Sequence, residues 1–181
     1  MNMAIYDLNT VFDNYEAHGE DVHFNFREFF RTWTGEPTKD RRRMPSDTQI
    51  GTFIHENDVK KFLDLLVDDR TNSEYPFSTQ EYRDTFRHTF WVVPGVAEAA
   101  ALSSLLKEHR VFGCFKVVNV AGVGDEDSEE SKKKALKAVQ EAIKENPYTI
   151  TLSCGRLTTG VSIPEWTAVF MLYGATKTKA Q

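Results

Sequence analysis

The hydrophobic pattern of the chain changes its period near Thr85. Before that residue, apolar side chains recur every three or four positions, which is the spacing of one helix face. The segment FNFREFFRTW places four aromatic residues on such a face: Phe26, Phe29, Phe30 and Trp33. The segment NDVKKFLDLLVDD repeats the pattern with Val59, Phe62, Leu63 and Leu66. The first part of the chain is therefore predicted to be helical.

Two further helices are predicted from their first residues. NTVFDNYEAH begins on Asn9 or Thr10 as its N-cap, and STQEYRDTFRH begins with Ser78, followed three positions later by Glu81. A hydroxyl side chain at the N-cap with a glutamate three positions later is a capping box. Between these helices lies the basic segment TKDRRRMPSD, residues 38–47. It is predicted to be a solvated loop, with phosphate binding as the alternative.

After Thr85, short apolar runs alternate with longer amphipathic segments. Four runs are predicted to be strands: residues 88–93, 113–122, 148–153 and 166–172. Helices are predicted between the first three of them, at residues 96–109 and 131–145. The first run, HTFWVV, is nearly continuously apolar, as expected of a strand that is covered on both faces. Strands that alternate with helices indicate an α/β fold with a parallel sheet and right-handed crossovers.

The length of 181 residues fits one domain, or one domain with an extension. We predict a helical extension over residues 1–85 and an α/β domain over residues 86–181. The net charge of −5 argues against nucleic-acid binding over the whole surface, so any such contact is expected to be local, in a cleft or a loop.

The two cysteines, Cys114 and Cys154, lack the paired spacing of a zinc site. This indicates a reduced, intracellular protein, and we expect a cytoplasmic location. The first ten residues, MNMAIYDLNT, have neither the basic nor the apolar part of a signal peptide. No run approaches 18 apolar residues, so no membrane span is predicted.

Glycines follow three of the predicted strands. They occur in Pro94-Gly95, in Gly122-Val123-Gly124 and in the loop from Gly155 to Gly160. In parallel α/β sheets, ligands bind outside the carboxyl ends of the strands, so this edge is the expected binding edge. The second of these segments favours a tight turn over a phosphate cradle, because Asp127 stands where a dinucleotide fingerprint has its third glycine. The acidic segment that follows it is predicted to be a solvated loop.

The sequence shows no familiar catalytic constellation. The five histidines are scattered without an HExxH pattern, and no GxxxxGK[ST] phosphate-binding loop is present. Cys154 ends an apolar strand, which favours a structural thiol over a catalytic Cys–His pair. We therefore expect no catalytic residue and no metal site in this chain.

The segment between the last two predicted strands is more specific. It reads SCGRLTTGVSIPEW, with an apolar strand on either side. This resembles motif V of superfamily-two helicases and translocases, close to the versions in the motor subunits of restriction enzymes. Five consecutive residues match its frame: Gly160, Val161, Ser162, Ile163 and Pro164. Ser162 departs from the family, which more often has aspartate at this position, where the side chain reaches the ATP ribose or its surroundings.

The resemblance covers residues 86–172 and implies the second RecA-like lobe of a DNA helicase or translocase, preceded by a helical or interlobe segment. It implies that the whole motor uses ATP and Mg²⁺, and that this part alone does not hydrolyse ATP. Its implied partners are DNA and the first RecA-like lobe of the same polypeptide. The implied nucleic-acid contacts are Gly95, Ser153, Gly155, Arg156, Thr158 and Thr159. Gly160 and Ser162 are implied to contact the nucleotide.

The residues of this loop support such a role on physical grounds. Backbone N–H groups and short hydroxyls bind phosphates without reading bases, and Arg156 can add a charge-assisted contact. The alternative is a bulged connection whose threonines bond to their own backbone. Two other function classes stay open. One is a non-motor α/β protein that binds a nucleotide or a small molecule, and the other is a protein-interaction module built on the Phe-rich helices.

Overall fold

The computed structural model describes residues 12, 15, 24–36, 48–70, 75–122, 128–155, 157–158 and 161–173. Most of the predicted helix at residues 9–18, the basic segment 38–47 and most of the acidic segment after Gly122 lie outside these ranges. Arg156, Thr159 and Gly160 of the loop that resembles motif V lie outside them as well.

Four parallel strands form the centre of the structure. They are β1 (His88–Val92), β2 (Lys116–Asn119), β3 (Thr149–Ser153) and β4 (Ala168–Met171). Their order across the sheet is β2-β3-β1-β4. Each pair of neighbours is parallel. The predicted α/β fold with a parallel sheet is confirmed, and each predicted strand is present.

Helices precede the sheet and cover it. They are α1 (Phe26–Phe29), α2 (Glu56–Leu66), α3 (Gln80–Thr85), α4 (Val96–Glu108) and α5 (Glu129–Glu145). Helix α4 connects β1 to β2, and α5 connects β2 to β3. The predicted helices at residues 96–109 and 131–145 correspond to α4 and α5.

The two faces of the sheet are separated by the alternation of side chains along β1. Phe90 and Val92 belong to one buried cluster with Val139 of α5. Trp91 belongs to the other cluster with Leu102 of α4. The connection from β1 to β2 through α4 and the connection from β2 to β3 through α5 run in opposite directions across the sheet. Because both crossovers are expected to be right-handed, the two helices must lie on opposite faces.

The Phe-rich segments before residue 85 pack on the α4 face of the sheet. Phe77 is fully buried, with ring centroids 5.1 Å from Phe112 and 6.1 Å from Trp91. Phe29 and Phe62 join the same cluster. The cluster on the α4 face therefore includes residues from both sides of residue 85. The domain boundary at that position stays a prediction.

The prediction of a helix from Phe24 to Trp33 is wrong in its extent. Helix α1 has only four residues and ends at Phe29. The chain then pairs with the segment around Phe53, because Thr32 forms an antiparallel bridge with that residue. The N–H of Trp33 also donates to the carbonyl oxygen of Thr52 at 2.7 Å. Tertiary pairing thus prevails over the local helical period.

Two element boundaries also differ from the prediction. The N-cap of α3 is Thr79 rather than Ser78, because the Thr79 hydroxyl accepts from the N–H of Tyr82 at 3.1 Å. The Ser78 hydroxyl instead donates to the carbonyl oxygen of Tyr75 at 2.8 Å. The second strand is shorter than predicted, since a 3-10 turn at Phe112–Cys114 precedes it. Among the described residues, no helix is long and apolar enough to cross a membrane.

Candidate functional site

The carboxyl ends of β1 and β3 lie side by side at the centre of the sheet. The N–H of Val93 donates to the carbonyl oxygen of Ser153 at 2.8 Å and joins the two ends. After β1 the chain moves toward β2 at one edge of the sheet, and after β3 it moves toward β4 at the other edge. Neighbouring strands whose connections leave in opposite directions define the crevice where open α/β sheets bind ligands.

The loop that leaves β3 is shaped by bonds within itself. Ser153 is fully buried, and its hydroxyl accepts from the N–H of Gly155 at 3.3 Å. Gly155 has φ +152°, and Leu157 has φ +62°, a left-handed conformation that is uncommon for leucine. Leu157 is nevertheless buried against the α5 face, and this contact holds the loop in place. The Thr158 hydroxyl donates to the carbonyl oxygen of Gly155 at 2.7 Å.

These positions divide the predicted nucleic-acid contacts into two groups. Gly155 and Thr158 are exposed at the carboxyl edge, where a ligand can reach them. Ser153 presents no surface in this conformation and supports the loop from within. Arg156 and Thr159 lie outside the described residues. The hydrogen bond from Thr158 to Gly155 is also what a bulged connection without a binding role would show, because its threonines would bond to their own backbone. The roles of all these residues therefore stay predictions.

Gly95 follows the end of β1 and is the N-cap of α4. A Cβ atom added to Gly95 would lie 2.3 Å from Oε2 of Glu98, so the carboxylate of Glu98 folds back over this glycine. A negative charge close to the N-terminus of a helix interacts favourably with the helix dipole. The N-terminus of α4 therefore already carries an anion of its own, and a phosphate at Gly95 would have to displace it.

The second half of the loop returns to the sheet on the α5 face. Ile163 is buried, whereas Ser162 and Pro164 on either side of it are exposed. The ring of Trp166 stacks on Phe90 with centroids 4.4 Å apart. Ile163 and Trp166 anchor this segment to the sheet, and the exposed Ser162 between them and the loop is available to a ligand. Gly160, the other residue that is predicted to contact the nucleotide, lies outside the described residues.

An open cleft with a volume of about 260 Å³ occupies the crevice. Its lining comes from both strand ends, the loop, α1 and the residue that follows β4. The lining residues are Arg27, Val92, Val93, Pro94, Cys154, Gly155, Thr158 and Tyr173. Sequence patterns gave no signal for Arg27 or Tyr173, because only the tertiary fold brings them to this edge. Cys154 is half-buried at the cleft wall and forms no disulfide with Cys114.

Three groups with shifted pKa values, Asp84, His88 and Tyr148, lie near the opposite, amino ends of the strands. The Tyr148 hydroxyl donates to the carboxylate of Asp84, which lowers the pKa of Asp84 and raises that of Tyr148. Burial lowers the pKa of His88 at the start of β1. In the described part of the chain, no group of three histidine, cysteine or acidic residues could hold a metal ion. From the described residues, the cleft offers backbone groups, hydroxyls, the thiol of Cys154 and the guanidinium of Arg27.

The chain is similar to a protein of Mycoplasma pneumoniae (strain ATCC 29342 / M129) that is named as the C-terminus of a proposed type II restriction enzyme and methyltransferase. The two sequences are 30% identical over 154 residues. The match covers 82% of this chain and 20% of the relative, so the chain spans about a fifth of the relative's length. No family model and no solved structure matches the chain.

Proposed function

We propose that this chain is the second RecA-like lobe of an ATP-dependent DNA helicase or translocase that belongs to a restriction–modification protein. The observation that carries the proposal is the position of the loop after β3. Its glycine and threonine lie exposed at the carboxyl edge of a parallel sheet, beside the end of β1. The sequence similarity to a protein named for restriction and methylation supports the same class of parent.

The proposed role of the loop is to hold a nucleic-acid backbone. A motor that moves along any sequence needs contacts to phosphate and sugar rather than to base edges. Gly155 and Thr158 are exposed at this edge, and the Thr158 hydroxyl would exchange its bond to the carbonyl oxygen of Gly155 for one to a phosphate. Arg156 would add a positive charge. The net charge of −5 agrees with a contact restricted to this edge.

The proposed nucleotide contacts are Gly160 and Ser162. The exposed hydroxyl of Ser162 fits a hydrogen bond to a ribose or to a water beside it. The resemblance to a second RecA-like lobe implies that the metal and the phosphates would be held by the first lobe of the parent protein. Bound ATP would supply the driving force of movement, and this lobe would form one wall of its site.

A second candidate function is the binding of a small molecule or free nucleotide in the cleft, without a motor. The cleft favours this candidate because it lies at the usual ligand position of the fold. The third class, an interaction module built on the Phe-rich helices, has less support. Phe29, Phe30 and Phe62 are buried inside the protein and present little surface to a partner.

The proposal can be tested by the binding of the 181-residue chain to labelled DNA of several unrelated sequences, followed by fluorescence anisotropy over a range of salt concentrations. Arg156→Ala should weaken binding to all sequences alike and reduce the salt slope by about one unit, as loss of one phosphate contact does. Lys137→Ala is the matched control, because Lys137 pairs with Glu141 on α5 at 3.7 Å. Equal behaviour of the two variants would reject the proposed interface.

A further inference from the structure

Arg27 brings a positive charge into the cleft from outside the α/β sheet. It lies on α1, is exposed, and lines the crevice between the ends of β1 and β3. Arg27 forms no ion pair within the described ranges. By contrast, Arg31 pairs with Glu28 at 3.1 Å, and His55 lies 3.0 Å from the same carboxylate oxygen. Glu28 is thus engaged by other side chains, and the guanidinium of Arg27 remains available.

The cleft has the polarity of an anion site. Its lining includes no carboxylate, and Arg27 is its one charged residue among the described residues. The carboxylate of Glu98 lies over Gly95 at the N-terminus of α4, and its negative charge repels an anion from that position. It would meet Arg27, Gly155 and Thr158 instead. A guanidinium is well suited to phosphate, because its planar fork can donate two parallel hydrogen bonds.

The size and the aromatic lining narrow the class of ligand. Sites for whole small molecules usually enclose about 300 to 1,000 Å³, so an open cleft of about 260 Å³ fits one unit of a polymer better. Tyr173 adds a ring at the cleft and is 42% exposed. Phosphate beside a guanidinium, together with a flat group on an aromatic ring, is the pattern of single-stranded nucleic-acid binding.

We propose that Arg27 and Tyr173 form one nucleotide subsite of a single nucleic-acid strand. Arg27 binds a phosphate, and the ring of Tyr173 stacks on the adjacent base. The subsite extends the proposed nucleic-acid interface and rests on that function. It also gives the helical segment before residue 85 a direct role, because α1 supplies half of the subsite. The resemblance to helicases covers residues 86–172 and assigns no role to either side chain.

The test uses the 181-residue chain and a labelled single-stranded DNA of about 20 nucleotides, with anisotropy titrations between about 50 and 200 mM NaCl. Arg27→Ala should weaken binding about five- to tenfold and lower the salt slope by about 0.7, whereas Arg27→Lys should keep the slope. Arg70→Ala removes the same charge from an exposed arginine that pairs with Asp68 at 2.9 Å, and it should change neither quantity.

Tyr173→Ala separates stacking from charge. It should weaken binding about fivefold while the salt slope stays constant, and Tyr173→Phe should bind as the unsubstituted chain does. Thermal melts of every variant show whether a loss of binding reflects unfolding. Binding lost in proportion to a lower melting temperature would overturn the subsite.

Three other results separate the possible failures. If Arg156→Ala lowers the slope while Arg27→Ala matches Arg70→Ala, the subsite is wrong and the proposed function stands. If the unsubstituted chain does not bind DNA at the lowest salt concentration, both proposals fall. If AMP displaces the DNA and binds the chain as tightly as the DNA does, the cleft is a site for free nucleotides, and the polymer subsite is rejected.

Discussion

Thr158 donates its hydroxyl proton to the carbonyl oxygen of Gly155 at 2.7 Å while its side chain remains exposed at the carboxyl edge of the sheet. This bond closes the turn in which Gly155 and Leu157 both have positive φ angles. In the described part of the loop, the Thr158 hydroxyl therefore adds a surface contact to the buried contact of Leu157.

We expect Thr158→Val and Thr158→Ser to differ in ligand binding more than in stability. Serine keeps the donor to Gly155, whereas valine removes it. An exposed hydrogen bond contributes about 1 kcal/mol or less, so both variants should unfold within that range of the unsubstituted chain. Thr158→Val should weaken DNA binding and Thr158→Ser should not, as measured by anisotropy and urea denaturation.

A structural role of the Thr158 hydroxyl would give the opposite result. If Thr158→Val binds DNA normally and lowers the free energy of unfolding by well over about 1 kcal/mol, the hydroxyl has a structural role only. The loop would then be a bulged connection between β3 and β4.

Two buried threonines on neighbouring strands offer a matched comparison. The Thr89 hydroxyl accepts from the indole N–H of Trp91 at 2.8 Å. The Thr151 hydroxyl is buried and has no hydrogen-bond partner among the described residues. Thr89→Val should destabilise the protein by about 1 to 3 kcal/mol, because it leaves the indole N–H unpaired in the core. Thr151→Val should be neutral or stabilising by up to about 1 kcal/mol, since valine has the same shape and no buried hydroxyl.

Guanidinium denaturation of the two valine variants checks this comparison. Equal losses of stability would show that Thr151 has a partner, such as a buried water, which valine would displace. Thr151→Ala is a useful third variant, because it removes the methyl group as well as the hydroxyl and should be destabilising by the loss of packing.

The sequence predicted the sheet well because its strands are short apolar runs bounded by turn residues, as in HTFWVV before Pro94. Such runs are typical of strands in a parallel sheet, and they can be seen in the sequence without knowledge of the neighbouring strands. The prediction of a helix through Trp33 was wrong because Thr32 forms a bridge with Phe53, about 20 residues further along the chain. The spacing of apolar residues within one segment carries no information about such a distant contact.

The site was predicted only in part for a similar reason. Its loop follows β3 directly and is visible as glycines and hydroxyls in the sequence. Arg27 and Tyr173 reach the same cleft from distant parts of the chain. The strand order β2-β3-β1-β4 creates that cleft, and the order follows from packing rather than from any single segment. The position of the Glu98 carboxylate over Gly95 also depends on side-chain geometry.

Adjacent residues of β4 should respond very differently to truncation. Phe170 points to the α4 face, where its ring centroid lies 5.1 Å from Trp91 and 5.6 Å from Phe77. Val169 points to the other face and is 51% exposed. Phe170→Ala should lower the free energy of unfolding by about 3 kcal/mol, and Val169→Ala by less than about 0.5 kcal/mol. Similar losses in denaturation experiments would contradict the orientation of β4.

The stability of the protein should rise with pH through the titration of His88. The side chain lies at the start of β1, and its Nδ1 is 2.9 Å from the Thr149 hydroxyl. Burial lowers its pKa below the ordinary value of 6.5, with a further contribution from Arg87 that Glu165 partly offsets. The unfolded chain therefore binds this proton more readily than the folded protein does. Stability is full above pH 6.5 and falls as the pH decreases toward the folded pKa.

His88→Gln should flatten this dependence, because glutamine can bond to Thr149 but does not titrate. Urea denaturation between about pH 5 and pH 7.5 measures the slope for each variant. Thr149→Val is the control, since it removes the hydrogen-bond partner and leaves the imidazole, so that stability falls at every pH while the slope persists. If His88→Gln keeps the slope of the unsubstituted chain, a different group titrates in this range, and burial of His88 does not govern the stability of the fold at low pH.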